Sequence, residues 1–358
     1  MQRLDSRIYD MLRVSIIIPC YNREDLLPET LESLLAQTFP HWEAIVVDEG
    51  SEDQSLAVAR KYAREDNRIR AFSREGIFRG ANVCRNQGLS LARGEFVIFL
   101  DSDDLLSKTC LEHRVAAMDK APHCGFGVYQ TELFTRIVGD KKILWNIYTD
   151  SNDLGRFLSL DTVWLTTGPI WRKKAVQQLG GFDESLRSFQ DWALHLRALI
   201  AGVDYFKESV MDNFHRHLYG STTITAVKDK HPDHLISHEK LFCKVLDYLQ
   251  LAGLLDHTAR MRVTGLFWWL ALRWCAISRM SDAERVWHKA LDLGLCTQRQ
   301  YLEGYLFIRL KRIRGNRFLI RWMQLLLWPE EYYTIASVYL CNTPSKVNHH
   351  GRESKLNA

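Results

Sequence analysis

The chain has 358 residues, of which 46% are hydrophobic and 25% charged, a composition typical of a globular protein with one large domain and a smaller one. Its net charge of +4 is too close to balance to indicate nucleic acid as the main partner. None of its eight cysteines forms a Cys-x-x-Cys pair, which argues against a zinc or redox motif and favours a reducing, cytoplasmic compartment.

Strand-like and helix-like segments alternate through the first hundred residues. The buried strands are predicted from continuous runs of β-branched and other apolar residues, at 14–18, 44–47 and 95–100, with a shorter strand at 68–72. Helices are predicted between them, around 27–35, 56–62 and 80–92. This alternation is typical of an α/β fold with a mostly parallel, Rossmann-like central sheet covered on both faces.

Three polar features follow the ends of these predicted strands: Pro19, Asp48 and Asp101. Ligands of parallel α/β sheets bind just beyond the carboxyl ends of the strands, and these ends lie at one edge. We therefore expect a ligand site at this edge.

The most acidic of these features is Asp101-Ser102-Asp103-Asp104. Hard cations such as Mg²⁺ and Mn²⁺ prefer carboxylate oxygens, and a cation there could offset charge on a departing diphosphate. The alternative is a solvated acidic turn that caps a helix over 105–118.

Other side chains near this edge are candidates for contacts to a nucleotide. Asp48 could accept a hydrogen bond from a base or ribose, or could simply form an Asx-turn. Tyr21 could pack on a base, and Asn22 more readily caps the next helix. Arg85 could bind phosphate, or could be a surface arginine of its helix.

Asp191 is the candidate general base. It opens a predicted helix at 190–201, and a carboxylate in hydrogen-bond reach of an acceptor hydroxyl can take its proton. The alternative is an acid favoured only by the helix dipole. Another helix is predicted over 171–179, while 141–167 gives no clear prediction.

After residue 230 the chain becomes helical in pattern. Helices are predicted over 239–255, 260–278 and 282–293, the last with a capping box at Ser281 and Glu284. We expect domains at 13–230 and 231–342 and a polar, disordered tail at 343–358. The basic and tryptophan-containing stretch 305–328 indicates a solvated helical face or, alternatively, a peripheral membrane contact. The tryptophan-rich segment 267–274 is expected to be core.

Taken together, the ordered motifs resemble the family 2 inverting glycosyltransferases, which have the GT-A fold. The resemblance runs from about 13 to 225 and rests on six stretches: Val-Ser-Ile-Ile-Ile-Pro-Cys-Tyr-Asn-Arg (14–23), Ile-Val-Val-Asp-Glu-Gly-Ser-Glu-Asp (45–53), Cys-Arg-Asn-Gln-Gly-Leu (84–89), Gly-Glu-Phe-Val-Ile-Phe-Leu-Asp-Ser-Asp-Asp (94–104), Gly-Gly-Phe-Asp-Glu-Ser-Leu (180–186) and Gln-Asp-Trp (190–192).

This resemblance implies a nucleotide-diphosphate sugar donor, UDP-linked in our expectation, and a divalent cation, Mn²⁺ or Mg²⁺. It implies base and ribose contacts from Pro19, Tyr21 and Asp48 and a donor-side role for Asp101. With Asn22 and Arg85, which the residues themselves suggest, these form the expected donor-binding set. It also implies metal contacts from Asp103 and Asp101. A histidine can complete such a site, and of His215 and His217 the better candidate is His217. Asp191 aligns with the catalytic base, although Gln190 stands where the family has an acid, and Glu49 replaces an aspartate.

The expected product is a polysaccharide, cell-surface glycan or glycolipid, built on a glycan or lipid-linked acceptor. A nucleotidyltransferase of related fold is the first alternative, but Pro19-Cys20-Tyr21-Asn22 stands where its glycine-rich and basic loop would be. The second alternative is a non-catalytic scaffold that acts through its helical region. The polar start and the lack of a long apolar run favour a cytoplasmic protein that is soluble or peripheral at the inner face of the membrane.

Overall fold

The computed structural model describes residues 12–76, 79–149, 152–217 and 230–311. The chain divides into two compact units between Arg260 and Met261.

The first unit is built on one sheet, in which the described strands follow the order β3-β2-β1-β4-β8-β6-β9-β5, with β7 paired to β6. The strands are β1 (Val14–Cys20), β2 (Trp42–Asp48), β3 (Ile69–Ser73), β4 (Phe96–Phe99), β5 (Leu105–Leu106), β6 (Phe126–Phe134), β7 (Ile143–Leu144), β8 (Pro169–Arg172) and β9 (Tyr205–Arg216).

Eight helices of the described ranges lie in this unit. They are α1 (Leu27–Leu35), α2 (Ser55–Glu65), α3 (Ala81–Leu91), α4 (Cys110–Lys120), α5 (Asp153–Leu158), α6 (Lys173–Gln178), α7 (Gln190–Ile200) and α8 (Pro232–Leu251).

The predicted parallel sheet forms the N-terminal half of this unit. Strand β1 lies between β2 and β4 and pairs with both in parallel, so that Ile16 lies opposite Ala44 on one side and Ile98 on the other. Every residue of β1, β2 and β4 is buried, because helices cover both faces. Strands β5, β7 and β8 are antiparallel to the other described strands. The sheet is therefore mixed but mostly parallel, as predicted.

The second half of the sheet differs from the sequence prediction. The predicted helix over 171–179 is wrong at its start, since Trp171 and Arg172 belong to β8 and the helix is Lys173–Gln178. Trp171 lies between Val97 of β4 and Phe126 of β6, where strand pairing and aromatic packing override its local helical pattern. Strands β6 and β9 were not predicted at all.

The second unit contains most of α9 (His257–Ala276), followed by α10 (Met280–Asp292) and α11 (Gln298–Lys311). Its tryptophans 268, 269 and 274 are buried, which confirms the prediction that they are core. The predicted capping box is wrong, since Arg279 is the N-cap of α10 and Ser281 lies inside the helix. None of the helices in the described part of the chain has the length and apolarity needed to cross a membrane. Of the basic stretch 305–328, the part after Lys311 lies outside the described residues, as does the tail 343–358.

Candidate active site

The acidic cluster lies between β4 and β5, and its three carboxylates have different surroundings. Asp101 is the most exposed and pairs with Arg85, whose Nη2 lies 2.5 Å from its Oδ1. Asp103 is largely buried, with the Nε of Arg23 3.4 Å from its Oδ2. None of the three acids caps the next helix, because α4 begins only at Cys110 and Thr109 is its N-cap. The helix-cap alternative for the cluster is therefore wrong.

Asp104 is bound to the second half of the sheet. Its carboxylate accepts hydrogen bonds from the Thr167 hydroxyl at 3.1 Å and from the backbone N–H of Arg216 at 3.0 Å. The Nδ1 of His215 lies 3.1 Å from the same carboxylate. Asp104 thus connects the β4–β5 loop to the end of β9.

The crowding of carboxylates changes the protonation of two groups. Burial, and then the neighbouring charges of Asp104 and Asp101, raise the pKa of Asp103 to about 6. Burial lowers the pKa of His215, but the three carboxylates, with Asp104 first, outweigh it and raise that pKa to about 9. His215 is therefore a cation at neutral pH and donates its Nδ1 hydrogen to Asp104.

The donor chemistry of the cluster suits a hard divalent cation, because its side chains offer carboxylate oxygens. Within the described ranges, however, no three histidine, cysteine or acidic side chains converge well enough to hold an ion. Arg23, Arg85 and His215 balance the negative charge instead. His215 is the histidine beside the cluster, whereas His217 is exposed, and the place of His217 in a metal site stays a prediction.

At the end of β2, the carboxylate of Asp48 organises the turn that follows it. Its Oδ2 accepts from the N–H groups of Gly50 and Ser51, both at 2.9 Å, and its Oδ1 accepts from the Ser51 hydroxyl at 2.5 Å. Gly50 has φ +92°, a backbone conformation that glycine adopts without strain. Asp48 is 1% exposed. The Asx-turn is therefore present, and a contact from Asp48 to a ligand stays a prediction.

The loop after β1 is fastened to this turn by Asn22. Its Oδ1 accepts from the N–H of Glu52 at 2.9 Å, and its own N–H donates to the Ser51 hydroxyl at 3.0 Å. Asn22 therefore does not cap α1, whose N-cap is Leu26, and that interpretation is wrong. Pro19 is buried within β1, whereas Tyr21 is exposed and accessible to a ligand.

Arg85 is buried, which excludes the surface-arginine alternative. Besides its pair with Asp101, it donates from Nη1 to the Oε1 of Gln190 at 3.1 Å, and its guanidinium lies over the ring of Phe182. Gln190 stands where the resembled family has an acid, so Arg85 has no carboxylate partner at that position. The guanidinium forms an ion pair with Asp101, and its charge also helps to lower the pKa of Asp191.

Asp191 lies in the first turn of α7, after Phe189, which has the left-handed φ of 58°. Its Oδ1 accepts from the N–H of Trp192 at 2.8 Å, and its Oδ2 accepts from the hydroxyl of Thr166 at 3.0 Å. Burial raises the pKa of Asp191, but His195, Arg85 and the two hydrogen bonds more than offset it, so the net shift is downward.

The buried ring of His195 stacks on Trp171. Burial lowers the pKa of His195 to about 4, so the ring is neutral at neutral pH. With the imidazole neutral, Arg85 and the two hydrogen bonds are the remaining groups that lower the pKa of Asp191.

Two adjacent threonines connect the candidate base to the acidic cluster. Thr166 donates to Asp191 and Thr167 donates to Asp104. The carbonyl of Thr167 accepts from Nη1 of Arg114, which is fully buried and makes a bidentate pair with Asp212 at 2.8 and 2.6 Å. The two threonines lie in the segment 141–167 that gave no prediction, and no motif in the sequence marks them.

Helix α8 holds the segment before Asp191 in place. The hydroxyl of Ser188 lies 2.7 Å from Nε2 of His238 and 2.9 Å from Nδ1 of His234. The side chain of Lys244 also pairs with Asp183 at 2.5 Å. The position of the candidate base thus depends on a helix more than 40 residues after it in the chain.

Residues 15–175 match the family Glycosyl transferase family 2. Over 112 residues, the chain is 39% identical to the poly(ribitol-phosphate) beta-N-acetylglucosaminyltransferase TarS of Staphylococcus aureus. This match covers 31% of this chain and 19% of TarS. Over 96 residues, it is 40% identical to the GalNAc(5)-diNAcBac-PP-undecaprenol beta-1,3-glucosyltransferase of Campylobacter jejuni. This match covers 27% of this chain and 31% of the relative. The chain thus spans less than half the length of these curated relatives.

Solved structures share the fold. The crystal structure of S. aureus TarS 1–349 in complex with UDP-GlcNAc superposes with a TM-score of 0.52 at 19% identity, over 87% of this chain and 92% of that one. The mannosyltransferase PcManGT of Pyrobaculum calidifontis, in complex with GDP-Man and Mn²⁺, gives a TM-score of 0.51 at 16% identity, over 93% and 88%. These likenesses confirm the predicted GT-A fold. The family match favours a glycosyltransferase over the nucleotidyltransferase and scaffold alternatives.

Proposed function

We propose that this chain, which carries a domain of Glycosyl transferase family 2 over residues 15–175, transfers a sugar from a nucleotide-diphosphate sugar to an acceptor hydroxyl with inversion. The observation that carries the proposal is the connection of Asp191 to the acidic cluster through Thr166 and Thr167. The proposal is supported by these two adjacent threonines, which hydrogen-bond to the candidate base and to a carboxylate of the acidic cluster.

In this mechanism the acceptor hydroxyl attacks the anomeric carbon on the side opposite the nucleotide. Asp191 is ionised at neutral pH and takes the proton, while Thr166 and Trp192 fix the orientation of its carboxylate. One displacement suffices, because the nucleotide diphosphate is already a good leaving group.

A divalent cation, Mn²⁺ or Mg²⁺, held by Asp103 and Asp101 would supply Lewis-acid stabilisation of the leaving diphosphate, with His217 as a further candidate ligand. This part of the proposal is supported by the oxygen-rich cluster and by the Mn²⁺ in the complex of the related-fold mannosyltransferase. Arg23 and Arg85, which pair with these acids, could then turn toward the phosphates.

The proposed donor is UDP-linked, supported by the UDP-GlcNAc complex of TarS. Tyr21 would pack on the base, and Pro19, Asn22 and Asp48 would shape the pocket around base and ribose. The exposure of Tyr21 supports this role, while Asn22 and Asp48 already hold the two loops together.

The proposed acceptor is a glycan or a lipid-linked glycan in the synthesis of polysaccharide, cell-surface glycan or glycolipid. The name of the C. jejuni relative, an undecaprenol-linked glycan glucosyltransferase, supports this choice. We place the protein in the cytoplasm, with a peripheral contact to the inner face of the membrane through 305–328. Most of that stretch lies outside the described residues.

Two substitutions test the proposal. Asp191→Asn should still bind UDP with Mn²⁺ in calorimetry, but should release UDP from a UDP-sugar about 10²- to 10⁴-fold more slowly in the presence of acceptor, because the proton acceptor is lost. Asp103→Ala should lose the Mn²⁺-dependent part of UDP binding. Asp119→Asn, an exposed acid paired with Arg13, is the control. Near-normal turnover by Asp191→Asn would remove it as base, and unchanged UDP binding by Asp103→Ala would remove the metal assignment.

A further inference from the structure

Trp145 differs from the other tryptophans of the described chain. Of the nine that the structure describes, eight are buried, and Trp145 alone is exposed, at 37%. Ile143 and Ile147 are also exposed, so every second side chain from 143 to 147 presents an apolar group to solvent. A contiguous exposed apolar patch that includes a tryptophan indicates a binding site, whereas single exposed apolar residues are common on protein surfaces.

The ring of Trp145 is held in a fixed orientation. Its backbone N–H continues the β6–β7 pairing by donating to the carbonyl of Thr131 at 2.9 Å, and its indole Nε1 donates to the carbonyl of Thr162 at 2.9 Å. The neighbouring Asn146 donates to the same carbonyl and accepts from Arg156. Such a ring binds a partner at a small entropic cost, because its rotamer is already set.

The same ring lies at the edge of the candidate active site. Its centroid is 6.2 Å from that of His215, at an interplanar angle of 80°, and His215 contacts Asp104. Thr162, which holds the indole, precedes the Thr166 that holds Asp191 by four residues. In the sheet order β6 and β7 lie beyond β4 and β8, whereas Tyr21 and Asp48 follow β1 and β2. Trp145 is therefore on the side of the acidic cluster away from the proposed donor contacts.

From this arrangement we propose that Trp145 is a stacking platform for a pyranose ring of the acceptor, an inference that rests on the proposed function. A pyranose has an apolar face of C–H groups that fits an aromatic ring, and equatorial hydroxyls that hydrogen-bond to charged neighbours. The imidazole of His215 and the carboxylate of Asp104, whose Nδ1 and Oδ2 lie 3.1 Å apart, provide those neighbours. A hydrocarbon chain matches the indole but not these charges, so the surroundings favour a sugar over a lipid tail.

The test uses the full chain with UDP and Mn²⁺ on a printed array of pyranose glycans, followed by calorimetry with the glycan that binds best. Trp145→Ala should weaken glycan binding by about tenfold or more, and Trp145→Phe, which keeps an aromatic face, should restore most of it. Ile137→Ala, an exposed apolar residue of the same hairpin, is the matched control and should bind as the wild type does. Circular dichroism checks that each variant is folded.

Slow release of UDP from the UDP-sugar with water as acceptor separates this inference from the proposed function. If wild type and Trp145→Ala both release UDP and only the variant loses the glycan, both hypotheses hold. If both release UDP but the variant binds glycan as wild type does, or the wild type retains no arrayed glycan, the platform is overturned and the transferase is not. Loss by Trp145→Ala of binding to phosphatidylglycerol vesicles, with glycan binding intact, would identify a lipid contact and also overturn the platform. If the wild type neither binds UDP nor releases it, the proposed function itself fails.

Discussion

Replacing Thr166 by valine should change the pH dependence of catalysis more than its maximum. The Thr166 hydroxyl donates to the Oδ2 of Asp191 at 3.0 Å, and valine keeps the shape of the side chain while removing this donor. A hydrogen bond to a charged group contributes about 1.5–3 kcal/mol, and this one favours the ionised form of Asp191. Without it the pKa of Asp191 rises.

The direction of the pH shift follows from the proposed role of Asp191 as general base. Only ionised Asp191 can accept a proton, so the acid limb of kcat/KM should move to higher pH in Thr166→Val. On that limb kcat/KM should fall by about tenfold, since about 1.4 kcal/mol corresponds to a factor of ten. At alkaline pH the loss should be smaller, because Asp191 is ionised in both proteins.

The assay is UDP release at subsaturating UDP-sugar, followed from about pH 4 to 8. Thr167→Val is a matched control, since it removes the same group from the next residue, whose hydroxyl donates to Asp104 and not to Asp191. An acid limb that stays in place in Thr166→Val, or that moves equally in both variants, would refute the assignment of Asp191 as a base tuned by Thr166.

Two further predictions concern stability. The pKa of His195 is about 4 in the folded state and 6.5 in the unfolded chain, so its contribution to stability is complete above pH 6.5 and is lost as the pH falls toward 4. In urea unfolding, the wild type should lose about 2 kcal/mol more stability between pH 7 and 5 than His195→Phe does. An equal loss of stability in both proteins would contradict this. Arg114→Met leaves Asp212 charged and buried and should cost about 3–5 kcal/mol, with partial recovery in Arg114→Met/Asp212→Leu, whereas a cost under about 1 kcal/mol would show that the pair is dispensable.

Local patterns were sufficient to predict the first half of the sheet. Strands β1, β2 and β4 are buried on both faces, so their sequences are continuous apolar runs that differ clearly from the amphipathic helices between them. Since parallel strands end at one edge, the same patterns also predicted that Asp48 and Asp101 lie at a common edge.

The second half of the fold could not be predicted this way, because long-range contacts determine it. Strand β9 exposes much of its length around a register irregularity opposite Tyr129 and Gln130, so it lacks the alternation of a half-buried strand. The bonds that tie Asp104 to Thr167 and Arg216 join residues 63 and 112 positions apart. No spacing rule within a motif reaches that far, and the roles of Thr166 and His195 were missed for the same reason.

The contacts of α8 determine how the chain can be shortened without harming catalysis. A chain cut at 230, the boundary that composition alone indicated, would remove both histidines that bond to Ser188 and would expose the apolar side of α7 that faces Phe242. A chain that ends after Arg260 retains these contacts and coincides with the end of the first compact unit. A fusion of this proposed catalytic unit to a different C-terminal module should therefore be made after 260, with α8 retained.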